Sequence, residues 1–183
     1  MRLALLCALL AASLWLLNLS WRGLPVSTAT FEAQDDAVPR YAVRDARIQQ
    51  YDGNGNLRYE ATAKQVDFYD NDSVQLELLE LSQLGGRQVW SLQSPSAYGP
   101  PGERRLLLQG PVRGDGQWPS GDTFELRADH LWVDTLRREI YTDSDVSLNG
   151  ERRQIQARGL RADWNGTRLN LLRNVVARYT ADG

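Results

Sequence analysis

The stretch "YDGNGN", Tyr51 to Asn56, places Asp52, Asn54 and Asn56 at the first, third and fifth positions of an EF-hand calcium loop, where their oxygens would face a hard cation. Such a loop also needs glycine at its sixth position and a bidentate glutamate at its twelfth, and the chain has Leu57 and Ala63 there. The flanks "ARIQQ" and "LRYEATA" both alternate like strands, so the glycine and asparagine cluster predicts a hairpin loop that uses positive φ angles. Other chemistry is sparse. His130 is the only histidine and sits between Ala128 and Leu131 of an apolar alternation, which suits a structural or exposed residue better than a general base. Asp129 and Asp134 in "ADHLWVD", and Asp143 and Asp145 in "TDSD", have neither a helix nor a partner histidine and read as strand and turn charges. "GERR", at Gly102 and again at Gly150, reads as polar turn surface. The spacing predicts no catalytic residue, no metal ligand and no cofactor site, hence a protein that is not an enzyme.

The elements that would position a binding surface begin after an unusual first segment. Positions 3 to 21, "LALLCALLAASLWLLNLSW", carry no charge and lie between Arg2 and Arg22. Nineteen residues at about 1.5 Å each give roughly 29 Å, close to the hydrocarbon thickness of a bilayer. A cleaved signal peptide usually has a shorter apolar core, about 7 to 15 residues, and Trp15 and Trp21 suit an interfacial belt. The expectation is a transmembrane anchor over 1–22, with Arg2 and the amino terminus cytoplasmic, although Arg22 opposes that orientation. Cys7, the only cysteine, falls inside this segment, too early and after too large a residue, Leu6, for a lipoprotein signal. Residues 23–40, with "LPVSTATFEAQDDAVPR", read as a tether, and 41–183 as the folded domain. Acidic and basic residues number 23 and 21, so no basic face for nucleic acid is implied.

The folded part repeats. "YEATAKQVDFY" from Tyr59, "WSLQSPSAYGP" from Trp90, "FELRADHLWVD" from Phe124 and "IQARGLRADWN" from Ile155 start 31, 34 and 31 residues apart. Each has apolar residues at the start and two places on, a small residue at four (Ala63, Ser94, Ala128, Gly159) and an apolar one at seven (Val66, Ala97, Leu131, Ala162). Alternation over the first five positions is a half-buried strand, and the step of three reverses its parity, so the strand must bulge or bend there. A second alternating run closes each unit: Val74, Leu76, Leu78; Leu106, Leu108, Val112; Ile140, Thr142, Val146; and Leu169, Leu171, Val175, Ala177, Tyr179. Polar turns fall at 70–72, 99–103 and 165–167, and "VDTLRREIY" reads as strand, turn, strand. With Tyr41 to Gln50 pairing into the first unit, this predicts eight or nine strands in an all-β, elongated sandwich or opened barrel.

The order of anchor, tether and repeats, with "YEATAKQVDFYDND", "LLLQGPV", "FELRADHLWVD", "IYTDSDVSL" and "IQARGLRADWNGTRLNLLRNVVARY", resembles the LptC family of lipopolysaccharide export proteins over essentially the whole chain. Gly55 before "NLRY" and Gly159 before Leu160 match glycines of that family, whereas "GPPGERR" and "GDGQWPSGD" depart from its pattern. The resemblance implies an open two-sheet β-jelly roll held in the periplasm by an inner-membrane helix. It also implies lipopolysaccharide as cargo, the transporter subunits LptB, LptF and LptG as donor, and the periplasmic bridge protein LptA as acceptor, paired edge to edge. Inward positions expected to line an apolar trough for acyl chains are Tyr59, Ala61, Phe68, Leu76, Leu78, Trp90, Leu92, Leu106, Leu108, Phe124, Leu126, Ile140, Leu169 and Leu171, and each fits a packed core equally. Gly55, Gly159, Val175, Ala177 and Tyr179 are the expected partner contacts, with the last run, "LNLLRNVVARYT", as the free edge. Two other roles fit the same pattern: a scaffold that joins transporter to bridge without carrying lipid, and a glycan-binding sandwich using Trp118 or Trp132.

Overall fold

The computed structural model describes residues 38–83, 90–118, 121–163 and 168–180. The expected anchor and most of the tether lie outside these residues, as does the turn at 165–167. Nine strands follow one another: β1 Tyr41–Tyr51, β2 Leu57–Phe68, β3 Val74–Gln83, β4 Trp90–Gly99, β5 Arg105–Gln117, β6 Thr123–Asp134, β7 Glu139–Gly150, β8 Arg153–Asp163 and β9 Leu169–Tyr179. Each of the four sequence units is an antiparallel hairpin, and β1 pairs into the first. All nine form one sheet in sequence order, with β1 and β9 as its two edges. The expected pair of sheets is therefore a single hydrogen-bonded ladder, in which every long strand bends near its middle instead of handing over to a separate layer.

The bends lie where the parity argument puts them. Ladder pairing is interrupted between Gln93 and Ser96, between Gln109 and Val112, between Ala128 and Trp132, between Thr142 and Asp145 and between Gln156 and Arg158. An extra residue at each break turns the next side chain to the opposite face, so the apolar series resumes three or four places on. Left-handed backbone marks the same zone at Asp45, Leu78, Gly110, Gly159 and Asn174. In β4 the buried Ser94 hydroxyl has the Ser96 carbonyl at 2.6 Å and that of Gln109 at 2.8 Å, two acceptors that share its single hydrogen beside the break.

The "DGNGN" cluster is the hairpin loop between β1 and β2. Gly55 has φ +81°. The Asp52 carboxylate accepts hydrogen bonds from the backbone N–H of Asn54 at 2.8 Å and of Asn56 at 3.0 Å. Those bonds, with Asn56 the larger contributor, hold its pKa below the ordinary aspartate value. At the β6–β7 turn the Asp134 carboxylate makes the same kind of turn hydrogen bonds, and it is buried. Its Oδ1 accepts from the N–H of Leu136 at 3.0 Å and of Arg137 at 2.7 Å.

Candidate functional site: an apolar face that runs edge to edge

Register decides which side chains share the inner face. One row crosses every strand: Ile48, Ala61, Leu81, Leu92, Gly114, Leu126, Leu148, Ile155, Ala177. On the other side of the bends a second row begins Val43, Val66, Leu76, Ala97, Leu108, Leu131, and it resumes with Thr142, Leu160 and Leu171. Glycines inside β5 belong to this design. A Cβ on Gly116 would lie 2.5 Å from Phe124 Cζ, and one on Gly114 would lie 2.7 Å from Leu92 Cδ2. The "GDG" of the family-divergent loop therefore makes room for inward rings and leucines.

Burial changes along the rows. In the middle the face is packed solid: Leu108, Leu126, Leu131, Leu148 and Leu160 are each 0% exposed, and each contributes about 1.5–3 kcal/mol of hydrophobic stabilisation. Of the expected trough residues, Leu76, Leu92, Leu108, Phe124, Leu126 and Ile140 belong to this core, while Tyr59, Ala61, Phe68, Leu106, Leu169 and Leu171 are partly buried against it. At both edges the inner face emerges into solvent. Tyr41, Val43 and Ile48 on β1, and Val175 and Tyr179 on β9, are exposed large apolar side chains, because no further strand covers them.

Two expected placements change. Leu78 is 63% exposed and has φ +50°, so it is the bulge residue of β3 and points away from the core. Leu79 and Leu81 take the inward positions that sequence reasoning did not assign; a step of three, seen in the other units, was the available signal. Gly159 does not share the row of Ala128. The row Val112, Ala128, Val146 and Ala157 runs two residues earlier in β8, and Gly159 is the bulge residue, with φ +84°. Trp90 opens β4, and its side chain lies outside the described residues. Among the expected partner contacts, Val175, Ala177 and Tyr179 lie on edge strand β9. Gly159 supports that strand by closely approaching Leu172, and Gly55 sits in the β1–β2 loop.

Trp132 and Trp118, the two tryptophans considered for sugar stacking, are both in contact with neighbouring side chains. Arg105 lies 4.7 Å from the centroid of the Trp132 ring, Tyr141 is near-parallel to that ring at 6.4 Å, and the Arg105 guanidinium donates to the Tyr141 hydroxyl at 3.0 Å, so Trp132 is engaged by its neighbours. Trp118 packs at 4.5 Å on Phe124 and lies 4.9 Å beneath Arg153. His130 Nε2 is 3.0 Å from Asp143 Oδ1 in an exposed pair.

Comparison with known proteins accords with this geometry. A solved structure similar to this chain is LptH of Pseudomonas aeruginosa, the LptA-homologous periplasmic component of the conserved lipopolysaccharide transport device. The similarity has a TM-score of 0.51 at 8% identity and covers 67% of this chain and 95% of that one, a likeness of fold. Among curated protein sequences nothing matches. The family described as lipopolysaccharide-assembly, LptC-related, matches residues 3–180. The chain belongs to that LptC-related family, and it is a component of lipopolysaccharide transport, not an enzyme.

Proposed function

We propose that residues 1–22 anchor the chain in the inner membrane with the amino terminus cytoplasmic, that 23–40 form a tether, and that the β-jelly roll of 41–183 works in the periplasm. There it receives lipopolysaccharide from the LptB, LptF and LptG transporter at the β1 edge and passes it to an LptA-type bridge at the β9 edge. The observation that carries this reading is the apolar row from Ile48 to Ala177, which crosses all nine strands and is uncovered at both ends. A neighbouring sheet that added a strand at either edge would extend the row without a break. Acyl chains would then follow an apolar path while the phosphates stay in water, avoiding the cost of burying charge.

The packed middle favours a second reading. With Leu108, Leu126 and Leu131 at 0% exposure, the domain also suits a scaffold that aligns its neighbours while lipid passes elsewhere. A photocrosslinker at half-covered Leu171 in the full chain, assayed in membranes for lipopolysaccharide adducts with and without ATP, separates the two. Adducts that require ATP support carriage. No adduct, with intact β9 crosslinks to the bridge, supports the scaffold.

A further inference from the structure

The sequence holds three Asn-Gly pairs, at 54–55, 149–150 and 165–166, the last outside the described residues. An asparagine before glycine is open to modification without an enzyme, because glycine has no Cβ to keep its backbone nitrogen away from the preceding side-chain amide. In that reaction the glycine nitrogen bonds to the asparagine Cγ, the Cγ–Nδ2 bond breaks, and ammonia leaves with the proton that the glycine nitrogen gives up. Water then opens the cyclic imide at either carbonyl, leaving aspartate or isoaspartate.

The two described pairs differ in setting. Asn149 and Gly150 close strand β7, where Gly150 pairs with Phe124 and a Cβ on it would lie 2.9 Å from the Thr123 carbonyl oxygen. Closing an imide there requires the end of the β6–β7 ladder to open. Asn54 and Gly55 lie in the β1–β2 loop and are exposed, and a Cβ on Gly55 would meet nothing within 4 Å, so no packing resists closure. Hydrogen bonds to one residue resist it instead. The Asp52 carbonyl accepts the Gly55 N–H, the attacking group, at 3.0 Å, and the Asp52 N–H donates to the Asn56 carbonyl at 2.9 Å. The Asp52 carboxylate accepts from the N–H of Asn54 at 2.8 Å and of Asn56 at 3.0 Å, and from Asn56 Nδ2 at 3.3 Å. Bonds to an ionised acceptor are the stronger kind, so the carboxylate holds the turn that commits the Gly55 N–H to a carbonyl.

We propose that Asn54 is a site of spontaneous deamidation and that the Asp52 carboxylate is its brake, keeping the Gly55 nitrogen bonded within the turn. Conversion puts a second carboxylate beside Asp52. Isoaspartate also adds a backbone carbon to the loop that sets the β1–β2 register, at the open β1 edge.

Trypsin separates the sites, since cleavage after Arg47 and Arg58 leaves Asn54 in peptide 48–58, and cleavage after Arg138 and Arg152 leaves Asn149 in peptide 139–152. The full chain is aged in detergent micelles at mildly alkaline pH and digested at intervals, and fragmentation mass spectrometry reads the change from amide to acid at each asparagine. Synthetic 48–58 peptides of parent and variant sequence give the unrestrained rates. In the parent chain Asn54 should convert roughly tenfold or more slowly than in its peptide, yet faster than Asn149. Asp52→Ala should bring Asn54 close to the rate of its own peptide while Asn149 stays slow, and Asp52→Ser, whose hydroxyl accepts one such bond, should fall between. A slow Asn149 shows that the variant is folded; if Asp52→Ala loses that protection, Asp52→Ser decides. Parent Asn54 as fast as its peptide, or folded Asp52 variants as protected as the parent, overturns the brake. Asn149 converting faster than Asn54 overturns the site.

Discussion

Gly159→Ala tests how edge strand β9 is held. The glycine has φ +84°, a left-handed backbone that costs an L residue about 1–2 kcal/mol. A Cβ there would also lie 3.1 Å from Leu172 Cδ1 and 3.2 Å from Leu172 Cβ. Leu172 is 53% exposed, so its tip can swing aside, but its Cβ moves only with the β9 backbone. Overpacking of this kind adds about 1–2 kcal/mol. The sum is about 2–4 kcal/mol, or a fall of about 5–15 °C in the melting temperature of a domain this size. Gly159→Arg carries both costs and adds a cation beside Arg158 and Arg173. Gly159→Asn should recover roughly half the loss, since asparagine tolerates the left-handed region better than alanine. Thermal denaturation by circular dichroism reads the totals, and amide exchange should show β9 loosening before β5 or β6. An alanine variant within about 0.5 kcal/mol of the parent, or asparagine no better than alanine, would refute the reasoning.

Three further outcomes follow from the same structure. Ser94→Ala removes the one O–H that two bulge carbonyls share, and urea denaturation should show a loss of about 1–3 kcal/mol. Leu126→Ala, at a fully buried position, should cost about 2–5 kcal/mol, whereas Leu78→Gly should be neutral or stabilising by up to about 1 kcal/mol because it relieves a left-handed leucine; a large loss there would mean Leu78 packs inward after all. Asp52 has its folded pKa depressed by the N–H groups of Asn56 and Asn54, so its contribution is present above the unfolded pKa and fades as pH falls through the folded one. An NMR titration of its carboxyl should give a midpoint below that of an ordinary aspartate, and a midpoint at or above it contradicts the loop geometry.

Much of this architecture was legible from alternation alone, because side-chain parity in a strand is a local property. The step of three in "YEATAKQV" and "FELRADHL" announced the bulges, and Asp52 with Gly55 announced the hairpin. What alternation could not give depends on partners far along the chain. "LELLELS" has leucines on both parities, and only the left-handed φ at Leu78 decides that 79 and 81 face inward. Whether paired units form two sheets or one depends on hydrogen bonds between successive hairpins, which leave no local trace. The fourth unit is offset by two residues relative to the ladder, so aligning repeats by sequence put Gly159 in the wrong row. The positions read as inward share one face, apart from Leu78 and the undescribed Trp90 side chain. Their gradation from packed centre to open edge arises from the position of each strand within the sheet, which no single repeat encodes.

The most direct measurement compares photocrosslinkers at Leu171 and Leu108 in the full chain, in membranes containing the transporter, blotted for lipopolysaccharide. If the inner face carries lipid between its edges, ATP produces adducts at half-covered Leu171, with fewer at Leu108 in the packed middle. If neither position yields an adduct while β9 still crosslinks to the bridge, the inner face carries no lipid and the domain is a scaffold.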